Sequence, residues 1–267
     1  TTLIYRGKEI LSRFDHDLRR GLHVAMEEKG IRILCEDIIQ SVTLDADGKR
    51  VAHTMKHGDI VADQVMLALG RVPNTRGLGL EAAGVKTDER GAIIVDAFSR
   101  TSAPGIYALG DVTDRVQLTP VAIHEAMCFI ETEYKNNPVS PDHDLIATAV
   151  FSQPEIGTVG LTEEEAARRF DELEVYRAEF RPMKATLSGR KEKMIMKLIV
   201  NAADRKVLGA HILGHDAGEM AQLLGISLKA GCTKDDFDRT MAVHPTAAEE
   251  LVTMYSSSYL VRNGERA

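Results

Sequence analysis

The chain opens on a short apolar run, Leu3–Tyr5, broken by the polar Arg6-Gly7-Lys8. Beyond it Phe14, Leu18, Leu22 and Ala25 recur at helical spacing until Gly30, which suits the left-handed position that ends a helix, so strand, loop and helix are predicted. Ile31–Cys35 reads as a second strand, and Ser41–Leu44 and Val51–Met55 flank Asp47-Gly48 as the arms of a hairpin. Val65–Leu69 is an apolar run of strand length stopping at Gly70-Arg71-Val72-Pro73-Asn74. This succession predicts the second half of an α/β domain over residues 1–70.

Residues 71–143 are richer in turns. Ala92–Val95 is predicted as a strand, Pro104-Gly105 as a turn, and Ile106–Leu109 as a buried strand stopped by Gly110-Asp111. A helix is predicted from Pro120, with Thr119 as its cap, because proline at the first helical position loses no needed N–H. The polar stretch from Asn136 to Asp144, carrying two prolines, predicts a linker. Beyond it, strands at Thr148–Phe151, Val175–Phe180, Met194–Val200 and Val207–Ile212, with helices over Asp216–Lys229 and from Thr246, predict an antiparallel sheet in an α+β unit over 144–267.

Composition narrows the classes. With 44% hydrophobic and 27% charged residues, the chain can bury a core, and its net charge of −7 argues against a nucleic-acid binder. No apolar run approaches the ~18 residues of a membrane span. Cys35, Cys128 and Cys232 lie too far apart for local metal or dithiol spacing and read as thiols of a reducing, cytoplasmic setting; no metal site is expected.

Three constellations carry candidate chemistry. In Gly105–Asp111 a carboxylate follows a strand end, where α/β sheets bind ligands and where an acid can accept hydrogen bonds from sugar or ribityl hydroxyls; a plain turn is the alternative. Leu118-Thr119-Pro120 then opens a helix whose positive end favours anionic or carbonyl oxygens. Arg6, Lys8 and Arg13 form either a solvated loop or a phosphate clamp, and an Arg rather than an acid at the strand end suits the 2′-phosphate of NADP. In Val243–Glu250, His244 suits proton transfer near neutral pH and Glu249 could orient its ring. Thr246-Ala247-Ala248-Glu249 equally fits a capping box, in which the Glu only satisfies a backbone amide.

The stretches LALGRVPN (67–74), GIYALGD (105–111), LTPVAI (118–123), FSQPEIGTVGLT (151–162) and TKDDFDRTMAVHPTAAEE (233–250), in this order, resemble the flavin-dependent pyridine-nucleotide disulfide oxidoreductases, most closely their glutathione-reducing branch. The resemblance implies partial FAD- and NAD(P)-binding Rossmann-like domains followed by an α+β dimerisation domain. It divides the chain into 1–70, half of the NADPH-binding domain; 71–143, the returning part of the FAD domain; and 144–267, the dimerisation domain. It also implies electron flow from NADPH through FAD and a redox disulfide to glutathione disulfide, in a homodimer. By the same resemblance Asp111, Leu118 and Thr119 serve FAD; Arg6, Lys8, Arg13 and Gly70 serve NADPH; Met183 and Thr246 face substrate; His244, partnered by Glu249, protonates the leaving thiolate.

Departures and alternatives follow from the same comparison. Ala242 stands where dihydrolipoyl dehydrogenases carry a second His, the tail Tyr255–Ala267 lacks the vicinal Cys pair of mercuric reductases, and trypanothione reductases share the terminal motif more closely. Met127 stands where an Arg near glutathione is expected, and Arg13 comes one position later than the second 2′-phosphate Arg. No Gly-rich fingerprint and no CxxxxC pair occurs. The expectation is therefore the C-terminal portion of a reductase, inactive without its N-terminal half, or alternatively a non-enzymatic dimerisation module.

Overall fold

In the computed structural model, which describes residues Thr1–Ala267, β1 (Thr2–Tyr5) lies parallel to β2 (Arg32–Cys35), in register from Thr2↔Arg32 to Tyr5↔Cys35. A parallel pair needs a crossover, supplied by α1 (His16–Glu28). Asp15 caps α1 by accepting from the Asp17 amide, Leu18 and Leu22 form its buried stripe, and Gly30 takes φ +82° just beyond it. The predicted hairpin forms as β3 (Ile39–Leu44) against β4 (Arg50–Thr54). A third strand, β5 (Asp59–Ala62), extends it. The turn into β5 is held by the buried Asp37 carboxylate, which accepts from the amides of Ile38, Met55 and Lys56 at 2.8, 3.0 and 3.0 Å. No turn dipeptide announces that arrangement in the sequence.

Three apolar runs within 65–120 need correction. Val65–Leu69 joins no sheet, and Met66, Leu67 and Leu69 are exposed. Ala92–Val95 and Ile106–Leu109 are reduced to single bridges, Thr87↔Ile93 and Arg100↔Tyr107. Apolarity drove those assignments, but a strand also requires a neighbour to satisfy its backbone groups. A 3₁₀ turn at Gly110–Thr113 and α2 (Thr119–Tyr134) complete this part. The cap of α2 is Leu118, with Thr119 its first helical residue. Met66–Asp144 is a compact unit with its own small core of Val85, Ile93, Ala103 and Ala108.

The remaining residues build a seven-stranded sheet, closely as predicted in type. Its strands are β6 (Thr148–Val150), β7 (Glu155–Gly160), β8 (Glu172–Phe180), β9 (Met194–Asn201), β10 (Val207–Gly214), β11 (Tyr259–Arg262) and β12 (Glu265–Arg266). The order is β12-β11-β8-β9-β10-β7-β6, antiparallel throughout. The helices are α3 (Glu163–Ala167), α4 (Met183–Leu187), α5 (Ala217–Lys229), α6 (Lys234–Asp238) and α7 (Glu250–Thr253). α3 and α6 both start in full capping boxes, at Thr162 and Thr233. The expected helix from Thr246 begins only at Glu250.

Strand β9 is buried from Met194 to Val200, which a half-exposed strand would not be. Its alternate residues face the two sides of the sheet. Met194, Met196, Leu198 and Val200 pack with Ala217, Leu224 and Leu228 of α5. Ile195 faces the other way and packs with Leu18 and Leu22 of α1, while Ile199 packs with Leu173, Val175 and Val261. The approach is close on both faces: a Cβ at Gly157 would fall 1.9 Å from the Ala217 carbonyl oxygen, and one at Gly21 would fall 2.7 Å from Ile195 Cδ1. Residues Thr1–Val65 and Leu145–Ala267 therefore form one compact unit.

Candidate active site

Helix α6 anchors the segment leading to His244. Lys234, fully buried, pairs with Asp238 and lies over the Tyr176 ring, 4.4 Å from its centroid. Arg205 ties the same helix to the sheet through Glu174 at 2.6 Å, Asp235 at 2.7 Å and Asp238 at 3.3 Å. From there the chain runs outward through exposed Met241 and Val243 to His244.

Thr246–Glu249 closes only part of a capping box. The Glu249 amide does donate to Thr246 Oγ1 at 3.2 Å, which is half of a capping box. The carboxylate does not return to the Thr246 amide; Glu249 Oε2 and Oε1 lie 3.0 and 3.1 Å from His244 Nδ1. A carboxylate oxygen accepts, so Nδ1 donates in this contact and Nε2 is left facing outward. The His244 side chain is 69% exposed and that of Glu249 23%. An imidazole held at one nitrogen and open at the other is the arrangement of a positioned acid or base. Thr246 joins this cluster through its hydroxyl. Met183 stands at the start of α4, half exposed and in none of the contacts of His244.

In the unit Met66–Asp144, Gly110 adopts φ +73°, aiming the 3₁₀ turn so that Asp111 is half exposed, its Oδ2 3.6 Å from Arg71 Nη2. The turn is held by Glu125, buried on α2, which the sequence reading did not single out. Glu125 accepts from the Gly110 amide at 2.6 Å and pairs with Arg115 at 2.9 Å and His143 at 2.7 Å. The only signal for it was an acid in the otherwise mostly apolar first half of the helix. Leu118 gives α2 no side-chain cap, and its first turn has no acidic residue. That helix end thus offers uncompensated positive dipole, which with Asp111 fits the carbonyl edge and ribityl hydroxyls of a flavin. Gly70, in the same unit, is exposed at φ +109°.

Arg6, Lys8 and Arg13 all project to solvent from the loop between β1 and α1. Beneath them the loop is pinned. Ile10 is buried, Leu11 adopts φ +54°, and Arg19 Nε donates to the Ile10 carbonyl at 3.1 Å. Cys35, Cys128 and Cys232 are free thiols. No helix is long and apolar enough to cross a membrane.

Comparison with known proteins places this geometry in context. Residues 1–126 match the family described as "Pyridine nucleotide-disulphide oxidoreductase", and residues 146–255 match "Pyridine nucleotide-disulphide oxidoreductase, dimerisation domain". The chain is 47% identical over 260 residues to the chloroplastic/mitochondrial glutathione reductase of Pisum sativum, covering 97% of this chain and 47% of that protein. It is 46% identical over 252 residues to the glutathione reductase of Burkholderia cepacia (94% and 56%), and 44% identical over 266 residues to the trypanothione reductase of Leishmania donovani (99% and 54%). Among solved structures, the HOCl-induced flavoprotein disulfide reductase RclA from Escherichia coli superposes with a TM-score of 0.85 at 25% identity, over 94% of this chain and 57% of that one. The chain thus spans about half the length of the relatives it matches. With both family descriptions matched in sequence order and five of the seven strands of the antiparallel sheet, β6 to β10, falling within the dimerisation match, the chain belongs to the pyridine nucleotide-disulphide oxidoreductases.

Proposed function

We propose that this chain is the C-terminal portion of an FAD-dependent reductase that uses NADPH to reduce glutathione disulfide and works as a homodimer. The observation that carries the reading is the His244–Glu249 pair, an exposed imidazole held at Nδ1 in a loop tied down by α6. Reducing a disulfide to two thiols takes two electrons and two protons. Nε2 of His244 first takes up one of these protons, making the ring cationic while Nδ1–H donates to Glu249; it then gives that proton to the sulfur that leaves as thiolate, and the ring returns to neutral.

The other candidate residues divide by ligand. Asp111 accepts hydrogen bonds from the ribityl hydroxyls of FAD, and the helix start at Leu118 and Thr119 favours electron density at the flavin's carbonyl edge. FAD, when bound, links hydride chemistry to disulfide chemistry. Arg6, Lys8 and Arg13 hold the 2′-phosphate of NADPH, with Gly70 giving close backbone approach to the nucleotide. Met183 and Thr246 face the disulfide substrate. In this reading residues 1–70, 71–143 and 144–267 are parts of the NADPH-binding, FAD-binding and dimerisation domains.

Substrate choice rests on the motif around His244, where Ala242 separates the chain from dihydrolipoyl dehydrogenases. The test is a comparison of kcat/KM by the full-length enzyme for glutathione disulfide, trypanothione disulfide and lipoamide. Glutathione disulfide is expected to give the highest value with NADPH. A higher value for trypanothione disulfide would move the assignment to that branch.

A further inference from the structure

Across β8, β9 and β10 a row of basic side chains, Arg177, Lys197 and His211, lies in direct register. Lys197 replaces an apolar residue in the line Ile195–Lys197–Ile199 that faces away from α5, and its side chain is 1% exposed. Its ammonium reaches Asp15 Oδ1 at 2.9 Å, Asp17 Oδ2 at 2.7 Å and Glu163 Oε2 at 2.6 Å. Arg177 approaches Asp17 at 3.5 Å, and Tyr259 donates to Glu163 at 2.7 Å. His211 donates from Nε2 to the Leu161 carbonyl at 2.9 Å, and its Nδ1 is hydrogen-bonded to the Thr158 hydroxyl.

Asp15 does three things at once. It caps α1, it accepts from the Glu163 amide at 3.1 Å, and it binds Lys197. It also ends the loop that carries Arg6, Lys8 and Arg13. That loop is therefore fastened at Ile10 by apolar packing and at Asp15 by a buried ion pair, both to the distant antiparallel sheet. Apolar residues of similar volume commonly replace a buried ion set without loss of stability, so burial of the Lys197–Asp15 pair, with Asp17 and Glu163 at its edge, points to a demand on geometry. Long cationic side chains on an unfastened loop would lose more freedom on gripping a phosphate, which weakens binding.

We propose that Lys197 is a positioning residue for nicotinamide-nucleotide recognition: by gripping Asp15 and Asp17 it fixes the Arg6–Arg13 loop in the arrangement that favours a 2′-phosphate. The inference rests on the NADPH reading given above. Its test is calorimetric titration of full-length wild type, Lys197→Met and Asp17→Asn with NADP⁺ and NAD⁺, alongside thermal unfolding. Asp17 is at the cluster's edge, so Asp17→Asn carries the test if Lys197→Met is recovered unfolded.

The expected result is a wild-type preference for NADP⁺ that falls roughly 10-fold in Lys197→Met, the scale of one displaced hydrogen bond to a charged group, and by less in the same direction in Asp17→Asn. A lowered melting temperature with an unchanged preference in the folded variants overturns the inference and leaves Lys197 as a purely structural group. Absence of any NADP⁺ preference in wild type overturns both this inference and the nucleotide reading beneath it.

Discussion

Replacing His244 with alanine in the full-length enzyme is expected to lower disulfide turnover by roughly 10²–10⁴, while NADPH still reduces the flavin at the wild-type rate. The split follows from position. The ring is held by Glu249 on an exposed loop after α6, and its free Nε2 is the only part of it left to meet a substrate. Nothing in its contacts supports the nucleotide loop at Arg6–Arg13 or the turn carrying Asp111. Stopped-flow reduction of the flavin and steady-state glutathione disulfide assays separate the two half-reactions. Retained disulfide turnover would remove His244 from the mechanism, and equal loss of both would mean that the loop has a structural role.

Lys197→Met is expected to destabilise the unit it stitches together by about 3–5 kcal/mol at neutral pH, the cost of leaving buried carboxylates without their counter-charge. Lys197 and Asp15 are both essentially solvent-free. For Asp15, burial works against ionisation, but the neighbouring His211 and Lys197 outweigh it and hold the carboxyl below its ordinary value. Its contribution is therefore present above about pH 4 and is lost as pH falls through the depressed folded value. For Lys197, burial works against the ammonium, and Asp15, Asp17 and Glu163 outweigh it, raising its pKa. That contribution is present below about pH 10 and is lost as pH rises through the folded value. Denaturant titrations at pH 7 and between about pH 5 and 3 check both claims. The variant should be weaker at pH 7 and lose less further stability on acidification. A loss under about 1 kcal/mol, the scale of a surface pair, would show that the cluster is solvated in solution.

Much of this was legible in the sequence because local rules governed it. The hairpin at Asp47-Gly48, the stripe Leu18–Leu22 with its stop at Gly30 and the apolar strand Met194–Val200 all follow from neighbours within a few residues. Val65–Leu69, Ala92–Val95 and Ile106–Leu109 were misjudged for the complementary reason: their apolarity is local, but strand pairing depends on a partner. The orientation of Glu249 was undecidable from spacing, since one Thr-x-x-Glu pattern serves both a cap and a histidine. Lys197 and Glu125 were invisible for another reason. A single charge in an apolar run has meaning only once its partners, Asp15 and Asp17 in one case and Gly110 and His143 in the other, are brought from far along the chain.

The central claim is that these residues serve a flavin poised between NADPH and a disulfide. Its most direct test is an anaerobic titration of the purified full-length protein, following the visible flavin band. The account predicts that NADPH bleaches the band and that glutathione disulfide then restores it, with restoration slowed in His244→Ala. A protein without a flavin band, or one whose reduced flavin is not reoxidised by glutathione disulfide, would contradict it.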